Sequence, residues 1–235
     1  MKRFTQSRAV VAAFVLASLP ACTFVSNLIS GKSGPADVDD LVAAVDKVTK
    51  ELDASKASML AAVQGLQAIT APDFQGDAVK AHKELVKGIE KSEDQADDLR
   101  ASIEKMQAAA VPVFDQWTKD LEAYSNPEMR QRSQTRLAVS RERYDTVVAA
   151  VEPVLVEYES INQTLRDHVL FLRHDMNPAA IATIQDDVRS VTKEASELDA
   201  RFNSGRAAAL AYIESSAQPK VPAKTEEKPV PVKGP

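Results

Sequence analysis

Apolar residues recur in alternating steps of three and four along four stretches of this chain. The first stretch runs Val38, Leu41, Val45, Val48, Leu52, Ser55, Met59, Ala62, Leu66, Ile69. The second runs Leu85, Ile89, Ser92, Ala96, Leu99, Ile103, Met106, Ala110, Val113, Trp117. The third runs Leu137, Arg141, Tyr144, Val148, Val151, Leu155, Tyr158, Asn162, Leu165, Val169, Leu172, and the fourth Ile181, Ile184, Val188, Val191, Ala195, Leu198, Phe202, Gly205, Ala209, Tyr212. Charged residues fill the positions between. A mean period of 3.5 residues places each apolar set on one stripe of a helix and winds such helices around one another left-handedly. Four ladders in one chain predict an all-α fold, an elongated antiparallel four-helix bundle or a set of coiled-coil hairpins.

The breaks between ladders carry turn and cap chemistry. Thr70 to Asp77, TAPDFQGD, ends the first helix and caps the second. In SNPEMR, Ser125 or Asn126 can accept the free N–H groups of the third helix, with Pro127 in its first turn and Glu128 at the positive end of its dipole. Asn177 and Pro178 repeat the arrangement for the fourth. Connections this short make neighbours antiparallel. The second and third helices are expected to span about 48 residues each, or roughly 70 Å. Pro112 and Pro153 fall inside them, and kinks are expected near both because each removes a hydrogen bond. Asn162 and Arg141 interrupt the third stripe and are read as polar rungs that fix register.

The amino terminus has a different logic. Lys2, Arg3 and Arg8 precede Ala9 to Leu19, AVVAAFVLASL, an uncharged run of about 11 residues against the ~20 of a spanning helix. That is the layout of a secretory signal peptide. Leu19-Pro20-Ala21-Cys22 resembles a bacterial lipobox, which implies that Cys22 takes a diacylglycerol and becomes the first mature residue. Cys22 is the single cysteine of the chain, so no disulfide or cysteine-built metal site forms within it. Two or more acyl chains anchor a protein stably where one holds it only marginally. Thr23 stands where an aspartate would resemble an inner-membrane retention signal, which favours the periplasmic face of the outer membrane.

Gly31-Lys32-Ser33 imitates the end of a phosphate-binding loop. That loop requires G-x-x-x-x-G-K-[ST] between a strand and a helix. The first glycine position holds Ser26, and no strand precedes it. A flexible Ser/Gly tether is the better reading. The expected organisation is therefore a lipoprotein signal peptide at 1–21, a lipidated flexible tether at 22–36, a helical bundle at 37–217 and a disordered Pro/Lys-rich tail at 218–235.

Charge and composition narrow the function. The formal net charge is −5; loss of Lys2, Arg3 and Arg8 with the signal takes it to −8. The tail holds Lys220, Lys224, Lys228 and Lys233 against Glu226 and Glu227, leaving the helical body near −10. Such a body repels nucleic acid. His82, His168 and His174 follow Val79, Leu165 and Phe171 at three residues' distance, so none has the Glu-x-x-His spacing of di-iron bundles. No H-E-x-x-H pair and no G-x-S-x-G elbow occurs. No catalytic residue, cofactor, metal or nucleotide is expected. The densest constellation is VLFLRHDMN, Val169 to Asn177. Phe171, Arg173, His174 and Asp175 there, with Trp117 in the second ladder, are the candidate partner-docking residues.

Two stretches carry a family resemblance. Phe114 to Arg130, FDQWTKDLEAYSNPEMR, and Asp167 to Ile184, DHVLFLRHDMNPAAIATI, resemble motifs of an uncharacterised bacterial lipoprotein family, domain of unknown function 2959. Phe114, Asp115, Trp117, Leu121, Tyr124 and Ser125 match the first motif. Val169 to Leu172, His174, Asn177, Ala180, Ile181 and Ala182 match the second. Lys119-Asp120, Arg173 and Asp175-Met176 depart from it mildly. The resemblance implies a helical fold and an envelope setting, and no activity. The expected function is a lipid-anchored, non-enzymatic envelope scaffold or adaptor with an envelope protein partner or self-association. The alternatives are a ligand-sensing helical module with a pocket near the kinks, and a chaperone-like holder of envelope proteins.

Overall fold

The computed structural model describes residues 35–216, with side chains from Asp37 onward. The expected signal peptide, Cys22, most of the tether and the tail at 218–235 lie outside the described residues. Five helices account for the rest: α1 Pro35–Thr70, α2 Ala78–Ala123, α3 Pro127–His174, α4 Pro178–Thr183 and α5 Gln185–Ser216. No strand occurs among the described residues.

The helix starts follow the cap chemistry. Asp77 Oδ1 accepts from Lys80 N at 3.0 Å. Asn126 Oδ1, rather than Ser125, accepts from Glu128 N at 2.9 Å and Met129 N at 3.2 Å. Asn177 Oδ1 accepts from Ala180 N at 2.9 Å. Each relieves donors that have no partner within the helix. The fourth ladder, read as one helix, is divided: the chain turns at Ile184 (φ −104, ψ 4), separating α4 from α5. Gln185 Nε2 then donates to the Thr70 carbonyl at 2.6 Å. At the turn an end carbonyl of α1 thus gains a donor from the first residue of α5.

Cross-helix contacts fix an up-down-up-down ring. Ser55 donates to Gln95 O while Gly65 lies against Leu85, so α1 and α2 are antiparallel. Arg166–Glu93 and Trp117–Ser133 run the same way between α2 and α3. Arg201–Glu157 and the Tyr144–Tyr212 ring pair do so between α3 and α5. Gln67–Thr192 and Arg206–Asp53 close the ring between α5 and α1. α2 and α3, 46 and 48 residues long, span about 70 Å each. They outrun α1 and α5, so the α2–α3 hairpin projects past one end of the bundle.

The apolar stripes face inward. In α1, α2 and α5 nearly every rung of the sequence ladder is buried. α3 differs by one residue on alternate rungs. Val147, Val154, Ile161 and His168 are buried, whereas Val148, Leu155 and Val169 only flank the core. A bundle helix touches two neighbours and buries three positions per heptad, and spacing alone cannot say which is central. Arg141 is accordingly off the seam. It is exposed, donates to Phe114 O at 3.2 Å and Thr118 Oγ1 at 3.0 Å, and lies 5.5 Å over the Phe114 ring. Its long side chain holds α3 to α2 from outside. Asn162 is buried, as a register-setting rung requires.

α2 and α3 run as continuous helices through Pro112 and Pro153. The carbonyls that lose a donor belong to Ala108 and Ala149, both exposed residues, as the prolines are. Water can reach those carbonyls, which explains why neither helix terminates there.

Three tyrosines join the core. Tyr158 packs edge-on against Phe202, with ring centroids 5.7 Å apart, and Tyr144 meets Phe114 at 5.5 Å. Burial pushes the Tyr158 and Tyr144 hydroxyls up to about 12 from an ordinary 10.0. Tyr212 is also raised by burial, partly offset by its Ser216 and Ser140 hydrogen bonds. Above pH 10 the unfolded chain releases these protons and the folded chain keeps them. For Tyr144 and Tyr158 that contribution is therefore complete below pH 10 and is lost as pH rises through about 12. The melting temperature is expected to fall across that window, and less steeply for Tyr158→Phe. An equal slope in the variant would show that Tyr158 has no part in it.

Candidate functional site

Two regions deserve description as sites, one at each end of the bundle. The first is the end of α3. Its LFL triplet splits: Leu172 is fully buried, while Leu170 and Phe171 are 50% and 38% exposed. Arg173 and His174 occupy the last turn, where cations complement the negative end of the dipole. Asp175 caps the helix through its N–H to Phe171 O at 3.3 Å, and its Oδ1 accepts from Asn177 N at 3.2 Å. The carboxylate is thus engaged in the turn, and Arg173 and His174 project from it exposed. His82 donates from Nε2 to Val169 O at 3.0 Å, and His168 donates from Nδ1 to Thr164 O at 2.7 Å. The His82 bond ties α2 to α3, while the His168 bond lies within α3.

Trp117, the remaining docking candidate, is not brought near this group. It lies at the other end, half-buried, with Nε1 donating to Ser133 Oγ at 2.9 Å. From Ser133 to Phe171 along α3 is about 57 Å. The five candidates therefore form one cluster of four and one separate residue.

The second region surrounds Trp117. Beyond it the hairpin is thin: from Thr118 to Arg136, every side chain except Leu121 and Ser133 is exposed. Where the hairpin joins the bundle, a cavity of about 510 Å³ opens between the start of α1, the end of α5 and the sides of α2 and α3. Val38, Val113, Trp117 and Val139 supply apolar wall; Arg136, Ser140, Arg143 and Tyr212 supply polar groups. The apolar ladders gave no notice of it, since Arg136, Ser140 and Arg143 all lie off them. The available signal was Arg136 and Arg143 at i and i+7, two turns apart on one face of α3. Among the described residues no group of three or more His, Cys, Asp or Glu gathers, and no helix is long and apolar enough to cross a membrane.

A family model described as "protein of unknown function (DUF2959)" matches residues 30–215, four helical ladders and both end regions included. The chain belongs to the DUF2959 family. No curated protein and no solved structure matches it. In this DUF2959 protein the two stretches that carry the resemblance fall at opposite ends of the bundle. Phe114 to Arg130 builds the projecting hairpin, and Asp167 to Ile184 builds the end of α3, α4 and the turn into α5. The match begins at residue 30 and so bears on the bundle and not on the residues around Cys22.

Proposed function

We propose that this DUF2959 protein is a lipid-anchored, non-enzymatic scaffold or adaptor on the periplasmic face of the outer membrane. Acylated Cys22 is its anchor, and an envelope protein or a second copy docks at the end of α3. One observation carries the docking half of this reading. Leu170 and Phe171, which lie between the rungs Val169 and Leu172, are adjacent large apolar side chains left exposed where the helix ends. Arg173 beside them adds a charge that can select a partner's orientation. The lipobox-like Leu19 to Cys22 and the secretory run before it support the anchor half.

Both halves can be tested in cells. Cys22→Ser is expected to move the protein from the membrane fraction to the soluble periplasmic fraction and to abolish labelling by palmitate. Unchanged membrane retention would refute the anchor. A photo-reactive amino acid at Phe171 is expected to give one dominant cross-linked species, lost when Leu170 and Arg173 are changed to Ser and Glu. The same probe at Ala149, exposed about 33 Å away along α3, is expected to give none. Equal cross-linking from both positions would sink the docking assignment. The cavity at the other end favours a second reading, a ligand-sensing helical module. A ligand of the folded state would raise its melting point with ligand excess.

A further inference from the structure

The cavity beside Trp117 carries an inference that is independent of scaffold docking at the far end. We propose that it binds a single-chain anionic amphiphile, with a phosphate or carboxylate head on Arg136 and Arg143 and an apolar tail against Trp117 and Val139. Size comes first. Its volume of about 510 Å³ falls in the roughly 300–1,000 Å³ range of small-molecule sites. Helices α1, α2, α3 and α5 all contribute walls, so the space is a product of the bundle's end and not a surface dimple.

Charge comes second. The chain is acidic overall, at −5, yet no acidic residue occurs from Met129 to Arg141, the stretch that holds Arg136; Arg143 follows Glu142 just beyond it. Among the described residues neither Arg136 nor Arg143 forms an ion pair, whereas Arg100, Arg166, Arg189, Arg201 and Arg206 all do. Two guanidiniums two turns apart on one helix face offer forked donors to one anionic group. The hydroxyls of Ser140 and Tyr212 stand in the same lining and can complete its hydrogen bonding. Val113, Val139 and the Trp117 ring then give an apolar continuation that a free inorganic anion would not use. A head with negative charge and a body without polarity satisfies both halves.

Trp117 is the chain's single tryptophan, so its emission reports on this cavity alone. The full chain, carrying Cys22→Ser so that no acyl group of its own competes, is titrated below micellar concentrations. The probes are dodecyl phosphate, dodecanoate, dodecyltrimethylammonium and inorganic phosphate. Expected are a saturable blue shift with the two anionic amphiphiles, none with inorganic phosphate, and binding at least about tenfold weaker for the cationic one. Arg136→Ala with Arg143→Ala is expected to weaken dodecyl phosphate at least about tenfold, with an unchanged circular dichroism melt. Arg136→Lys with Arg143→Lys restores part of that loss. Equal affinity for the cationic and anionic chains, saturation by inorganic phosphate alone, or an undiminished signal in the alanine pair would each overturn the assignment. A dodecyl phosphate signal that survives Val139→Asp would overturn the placement of the tail.

Discussion

Phe202→Ala is expected to be among the most damaging single substitutions in the bundle, costing about 3–5 kcal/mol. Phe202 is 2% exposed and meets the Tyr158 ring edge-on at 75°. One turn further along α5, a Cβ on Gly205 would sit 3.4 Å from the Ala150 carbonyl and 3.6 Å from Leu52 Cδ1. Helices α1, α3 and α5 thus approach closely just where the phenyl ring is inserted. Their backbones are held by contacts on either side and cannot fully collapse into the space that alanine leaves. The loss therefore contains both the transfer of the ring's area to water and an unrelieved cavity. For a chain of this size the melting midpoint should fall by about 6–20 °C. Phe202→Leu, which keeps most of the volume, should cost less. Phe171→Ala, on an exposed ring, should stay within about 0.5 kcal/mol. Denaturant unfolding followed by circular dichroism ranks the three. A Phe202→Ala midpoint equal to that of Phe171→Ala would mean the centre of the bundle is not packed as described.

Much of this architecture is legible in the sequence because a long helix repeats its message. In α1 the rungs from Leu41 to Ile69 are all buried, Ser55 among them. Nine agreeing positions outweigh any one exception, and Asn126 with Pro127 marks a helix start whatever packs against it. Other features depend on neighbours that the sequence does not name. The choice of Val147 over Val148 as the central rung depends on where α5 lies. The outward position of Arg141 depends on Phe114, 27 residues away. The break at Ile184 falls where the chain passes the end of α1, beside the Thr70 carbonyl that Gln185 reaches. The end of α3 was visible as a dense constellation, but which members of its LFL triplet turn outward depends on the helices packed against it. The cavity was not visible, because Arg136, Ser140 and Arg143 look like any solvated helix face until the ends of α1 and α5 are placed against them.

A buried polar cluster in the bundle's middle leads to the second large expected effect. Ser92 Oγ donates to Asn162 Oδ1 at 2.7 Å, and Asn162 Nδ2 donates to Ser92 O at 3.2 Å. Tyr158 Oη donates to the same carbonyl at 2.6 Å and lies 2.9 Å from Ser92 Oγ. All three side chains are buried. Ser92→Ala leaves Asn162 Oδ1 in the core without a donor, which should cost about 1–3 kcal/mol. Asn162→Leu removes two hydrogen bonds and adds bulk, and should cost a similar amount. The double variant leaves no orphaned group, since Tyr158 still donates to the residue 92 carbonyl. It should lie above the sum of the single losses by about 0.5–3 kcal/mol. That cycle separates a connected cluster from two unrelated polar contacts, and additive losses would count against the cluster. The consequence for specificity is separate from stability. Apolar rungs that repeat every seven residues would also be satisfied by α2 sliding on α3 by one heptad, about 10 Å. Only one register aligns Ser92 with Asn162 and Tyr158. The double variant should therefore recover stability while its amide spectrum shows more than one set of resonances along α2 and α3. A single set would assign register to the caps and the Arg141 clamp instead.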